Sequence, residues 1–152
     1  MLFPILKWLH ILFAILALGS NATYNLWLRH ASRHPESLAF ALRGIKSIDD
    51  RLANRAYGAL LGTGILMLLV NRLPLTVPWL LTSLLLYVVL LLTGIFVYAP
   101  ALRRQVALAE SAGPSDPAYQ QAAQRATRIG ILVALVAVAI SFLMVVKPAL
   151  WM

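Results

Sequence analysis

The 152-residue chain carries thirteen Lys and Arg against five Asp and Glu, a formal net charge of +8, and no cysteine. Its hydrophobic fraction of 61% and mean hydropathy of +0.83 lie well above the roughly 45–50% apolar content of soluble domains. Disulfides, thiolate metal sites and cysteine nucleophiles are excluded, and the length suits a single integral membrane domain over residues 1–152.

The first apolar stretch runs from Phe3 to Leu28. Pro4 suits its first helical turn, and Tyr24 and Trp27 form an aromatic belt at its far end. It has no basic segment before the apolar run and no small-residue cleavage site after it, so it reads as a retained span. His34-Pro35-Glu36-Ser37 breaks the helix. From Glu36 to Arg55 the pattern turns amphipathic, with Leu38, Leu42, Ile45 and Leu52 interleaved with Arg43, Lys46 and Asp49. This segment is expected to lie at the cytoplasmic interface or to extend the next span beyond the membrane. Ser47, ahead of Ile48-Asp49-Asp50, reads as the cap of a new helix.

Span two, Tyr57–Val70, stops at Asn71-Arg72-Leu73-Pro74, and the tight turn through Thr76 predicts an antiparallel hairpin with span three. Span three, Val77–Tyr98, opens on Pro78 and Trp79 and closes at Tyr98-Ala99-Pro100. A breaker-rich loop follows from Ser111 to Pro117. Gln120 to Arg128 then feeds span four, Ile129–Val146, which Lys147-Pro148 terminates. A hydrocarbon core about 30 Å thick takes roughly 20 helical residues. Backbone polar groups in lipid must be paired internally, and the Leu/Val/Ala runs lack the two-residue alternation of a barrel. The expectation is an all-α, polytopic membrane protein: an antiparallel four-transmembrane-helix bundle with a cytoplasmic amphipathic helix between spans one and two. Trp8, Trp79 and Trp151 mark its outer interface.

Ten of the thirteen basic residues fall on one side of this arrangement. Arg29, Arg33, Arg43, Lys46, Arg51 and Arg55 follow span one, and Arg103, Arg104, Arg125 and Arg128 follow span three. Lys7, Arg72 and Lys147 remain for the other side. The positive-inside rule therefore places both long loops in the cytoplasm and both termini outside. The charge serves topology and anionic lipid, not nucleic acid. Small residues recur at helical spacing, at Gly58 and Gly62, Ala59 and Thr63, and along Gly130, Ala134, Ala137 and Ser141. They suit close packing of helices within the chain, or a homodimer seam.

His10 is the residue with most chemistry to offer. Steps of three or four from it give Ala14, Ala17, Asn21 and Tyr24, a small and polar face that must look into the bundle. A buried imidazole can ligate heme iron or a copper ion, shuttle a proton, or be held by a hydrogen bond to a neighbouring helix. Small Ala14 and Ala17 leave room for a flat macrocycle. Ser83, Tyr87, Met144 and Lys147 fall at the same depth, so a pocket built of these residues and His10 is geometrically allowed. Lys147 also suits a snorkelling anchor. His30 and His34 are four apart, but Pro35 and the flanking Arg29 and Arg33 oppose cation binding. Asp49, Asp50, Asn54 and Tyr57 form a second polar cluster opposite Asn21 and Asn25.

Leu6-Lys7-Trp8-Leu9-His10-Ile11-Leu12, the basic segment ending span one, and Met144-Val145-Val146-Lys147-Pro148 resemble a bacterial family of predicted integral membrane proteins of unknown function. The resemblance covers the whole chain and extends distantly to the CopD copper-resistance proteins and the HemJ protoporphyrinogen oxidases. It implies a bacterial inner-membrane location and maps the HemJ heme b histidine, in its Lys-x-x-His context, onto His10. HemJ also carries a functional lysine early in its third span, where this chain reads Trp79-Leu80-Leu81-Thr82-Ser83-Leu84. The resemblance thus implies heme b binding or redox chemistry through His10 and does not extend to porphyrinogen oxidation; Tyr87, Met144 and Lys147, at the depth of His10, are the further candidates for a cofactor pocket. The alternatives are a non-enzymatic scaffold, or a small-solute or metal-ion transport protein with His10 as the metal ligand.

Overall fold

The computed structural model describes residues 1–31 and 35–150. Its helices are α1 (Leu2–Ala31), α2 (Leu38–Ile48), α3 (Asn54–Asn71), α4 (Pro78–Thr93), α5 (Ala99–Ser111) and α6 (Pro117–Val146). A widened π turn over Asp49–Ala53 joins α2 to α3, and another over Gly94–Tyr98 joins α4 to α5. Four continuous helices result, Leu2–Ala31, Leu38–Asn71, Pro78–Ser111 and Pro117–Val146, each long and apolar enough to cross a membrane. Within their most apolar stretches only 11–22% of residues are buried. Ile15, Leu69, Leu85, Leu135 and Val145 stand well exposed along the outside. Water would penalise such a surface, whereas acyl chains match it.

The amphipathic segment is not a separate interfacial helix. It extends span two, burying Leu38, Ala41, Leu42 and Ile45 in a core shared with Ala31, Leu102 and Tyr119. The exposed Arg43–Glu110 ion pair, at 2.7 Å, also ties α2 to α5. Ser47 starts no helix. It lies inside α2, and the chain runs on through the π turn, where the Asn54 N–H donates to the Asp49 carbonyl.

Nor does Tyr98-Ala99-Pro100 close span three. The ring of Pro100 would strike the carbonyl of Phe96 in a regular α-helix. The π turn just ahead of it, with the Ala99 N–H bonded to the Gly94 carbonyl, opens the turn and lets the helix continue to Ser111. Asp116 then caps α6, accepting from the backbone N–H groups of Ala118 at 2.7 Å and Tyr119 at 3.4 Å, with Pro117 in the first turn. Arg72 and Lys147 end α3 and α6 in the left-handed conformation, at φ 50° and 51°.

The bundle is two pairs of helices. α1 packs along α3, and α4 along α6. Spans two and three form the expected antiparallel hairpin, joined by a short turn, yet α3 and α4 do not pack backbone to backbone. The halves meet instead through α2 with α5 and through α1 with α6. One end of the bundle, the turn end, holds the starts of α1 and α4 and the ends of α3 and α6. The other, the basic end, holds α2, α5 and the two π turns.

Candidate functional site

A cavity opens at the turn end between all four spans, where α3 and α4 part. His10 of α1, Ser83 and Tyr87 of α4 and Met144 of α6 all line it, with leucines and Gly64 from α3. These are four of the five residues expected to share a pocket. The fifth, Lys147, does not line it. Its ammonium lies 5.3 Å from the centre of the Trp79 ring, a cation–π anchor at the helix end. Trp8 is exposed at this end too, while Trp151 lies outside the described residues.

All but one of the polar side-chain groups named on this cavity are committed to partners within the bundle. The Ser83 hydroxyl donates to the Trp79 carbonyl at 2.7 Å, and Tyr87 donates to the Tyr57 carbonyl at 2.6 Å. His10 Nδ1 lies 3.0 Å from the Thr63 hydroxyl oxygen. Thr63 in turn donates to the Ala59 carbonyl at 2.8 Å, with Leu60 at 3.1 Å. Because the threonine proton is spent on a carbonyl, the hydroxyl accepts from His10. We therefore assign the proton to Nδ1, which leaves Nε2 with a free lone pair. Gly64 makes room for the ring: a Cβ there would sit 3.2 Å from His10 Cε1.

The inward face read from His10 is real, but its small residues are used differently. Ala17 is fully buried, packed with Ala53, Ala56 and Tyr57, and neither Ala14 nor Ala17 lines the cavity. Ala17 lets α1 and α3 approach closely, and neither alanine borders the open space beside His10. Space lies on the α4 side instead.

The second polar cluster surrounds a cavity at the basic end. Asn21, Asp49, Asn54 and Tyr57 line it, as does Tyr24. Asn21 donates to the Tyr57 hydroxyl at 2.7 Å, and Tyr24 donates to Asp49 at 3.4 Å. Tyr24 is buried rather than part of an aromatic belt, while Trp27 is exposed. Asp50 turns outward to an ion pair with Lys46. The Asn25 side chain and His34 lie outside the described residues. Tyr98 and Gln105 also line this cavity and were missed, because span three was ended at Tyr98. Their spacing with Leu102, on one helical face, is the signal that finds them. Ala17, Ala53, Ala56, Leu90 and Ala137 fill the space between the two cavities, with Tyr57 and Tyr87.

Among the described residues no group of three or more His, Cys, Asp or Glu side chains could hold a metal ion. The family model described as "Predicted integral membrane protein (DUF2269)" matches residues 4–148. The chain belongs to this family. No curated protein and no solved structure gives a significant match. This DUF2269 chain is thus a multi-pass membrane protein with four candidate spans and a histidine between them.

Proposed function

We propose that this DUF2269 protein is a bacterial plasma-membrane protein that binds heme b through His10 at its turn-end cavity. The observation that carries this reading is the hydrogen bond from His10 Nδ1 to Thr63. Metal-bound histidines characteristically give their other ring N–H to a fixed acceptor, which sets the tautomer and the ring orientation. A bare ion would need three or four protein ligands, more than the single imidazole here. A porphyrin brings four nitrogens of its own and asks the protein for only one or two donors. His10 would supply one, and Met144, on the same cavity, is the candidate for the other. When bound, heme would supply one-electron chemistry. The protein's residues would hold the iron, keep water away and fix the imidazole. The HemJ-like Lys7-x-x-His10 points to the same residue.

The cavity is narrow, about 120 Å³, less than a porphyrin occupies. A macrocycle would therefore enter at the seam between α3 and α4, whose backbones are not packed together. With ten of the thirteen basic residues in the sequence segments that follow spans one and three, the turn end is taken as the extracytoplasmic side.

The test is a visible spectrum of protein purified in detergent from heme-replete cells, beside His10→Ala. A Soret band in the wild type that His10→Ala lacks, with both proteins monodisperse, supports the reading. A wild type that stays colourless after titration with hemin overturns it and leaves a scaffold or small-solute transport subunit.

A further inference from the structure

The basic-end cavity is a chamber of a different kind from the one around His10, and its lining is unusual in a chain of net charge +8. Asp49 is the one formally charged residue that lines it, and no Lys or Arg does so. Asp49 is only 6% exposed. Lys46, four residues before Asp50, is held by that outward carboxylate. The Tyr24 hydroxyl reaches Asp49 at 3.4 Å, a long bond for an O–H donor to a carboxylate. Lys46 is near enough to attract Asp49 as well, but it does not line the chamber, so the buried carboxylate has no cation on its cavity side, a costly arrangement.

A second observation is independent of the acid. Gln105 is 3% exposed and lines the same cavity, yet its amide has no hydrogen-bond partner among the described residues. No fully sealed side-chain nitrogen or oxygen among the described residues lacks a partner. The Gln105 amide therefore opens onto free space, and the free space beside it is this chamber. The hydroxyl of the half-buried Tyr98 also has no hydrogen-bond partner among the described residues. Buried polar groups are normally paired, so an unpaired amide aimed into a cavity marks a position for a polar guest. Both π turns contribute to the wall, one through Asp49 and the other through Gly94 and Tyr98. Such turns are frequent at functional sites, because the extra residue re-aims side chains that a regular helix would direct elsewhere.

We infer that this chamber binds a protonated amine with an apolar body, its ammonium placed between Asp49 and Gln105. The carboxylate and the amide oxygen accept the N–H groups. The rings of Tyr24, Tyr57 and Tyr98 favour an organic cation over a strongly hydrated ion. Leu90, Leu91 and Val133, on the remaining wall, receive the carbon skeleton. An anion is disfavoured by Asp49 itself.

The probe is benzylammonium, with benzyl alcohol as its uncharged counterpart, titrated calorimetrically into detergent-purified full-length protein. Saturable binding of the amine, with none of the alcohol, is expected. Asp49→Asn, which keeps the shape and removes the charge, should weaken the amine at least about tenfold, as for a lost hydrogen bond to a charged group. Gln105→Leu should weaken it several-fold, and Gln105→Glu should tighten it. The amine and the alcohol binding alike, or amine affinity unchanged in both Gln105 variants, overturns the inference even if Asp49→Asn does not fold. His10→Ala should bind the amine as the wild type does, so failure at this chamber and failure of heme binding are read separately.

Discussion

His10 on span one and Thr63 on span two meet at 3.0 Å through the imidazole Nδ1 and the threonine hydroxyl, 53 residues apart in the chain. The contact lies on the α1–α3 interface, the most extensive between helices in the molecule. Two backbone carbonyls one turn earlier in α3 fix the hydroxyl. Helix geometry thus determines which imidazole nitrogen is left for a ligand.

Replacing Thr63 tests that chain of bonds. Thr63→Val keeps the shape but removes the acceptor, so the Nδ1–H loses its partner at a cost of about 1–3 kcal/mol. Heme affinity should fall roughly 10- to 100-fold, the usual effect of losing a ligand's outer hydrogen bond. Thr63→Ser should restore most of it. Hemin titrations of the two variants decide the matter, and equal affinities would show that the hydroxyl does not orient the ring.

Two glycines on α3 should respond in opposite ways. A side chain at Gly64 would press on His10 Cε1 at 3.2 Å, while one at Gly62 meets nothing within 4 Å. Gly64→Val is expected to lower stability by about 1–3 kcal/mol through overpacking and to displace the imidazole. Gly62→Ala should be neutral or stabilising by up to about 1 kcal/mol, from lost unfolded-state freedom. Thermal unfolding in detergent, with heme content measured on the same samples, checks both.

Tyr87 belongs to the wall between the two cavities. Its hydroxyl reaches the Tyr57 carbonyl at 2.6 Å, and Tyr57 accepts from Asn21. Tyr87→Phe should cost about 0.5–1.5 kcal/mol, the net worth of one hydrogen bond, without creating a cavity. Tyr87→Ala should cost about 3–5 kcal/mol, because it also removes a ring from the packed partition. Denaturation monitored by tryptophan fluorescence separates the two.

The proposed orientation is open to direct labelling, because the chain contains no cysteine. A single cysteine replacing Thr76, in the turn between α3 and α4, should react with a membrane-impermeant maleimide added outside intact cells. One replacing Ser115, in the loop before α6, should react only after the membrane is opened. The reverse pattern would invert the topology.

Much of this protein could be read from residue order alone. Four apolar runs about as long as a bilayer is thick, with charge confined to the gaps, determine four helices, because unpaired backbone is so costly in lipid. Local chemistry likewise marked the stops at Arg72 and Lys147 and the inward face from His10 to Tyr24. The extension of span two by the amphipathic segment was one of the two readings its pattern allowed. One continuity was hidden: Tyr98-Ala99-Pro100 looks like a break, since nothing in short-range propensity reveals that a π turn can absorb an awkward residue and carry the helix on. That is why Tyr98 and Gln105 were not joined to Asp49.

Tertiary structure alone decided which small residues close an interface and which leave space. Ala17 is consumed by the approach of α3, and the cavity beside His10 exists because α3 and α4 stay apart. It also decided the partner of His10, since Thr63 on a separate helix comes within reach only when two spans lie side by side. Sequence periodicity reports the face of one helix. The distance between two faces depends on how several helices settle against one another.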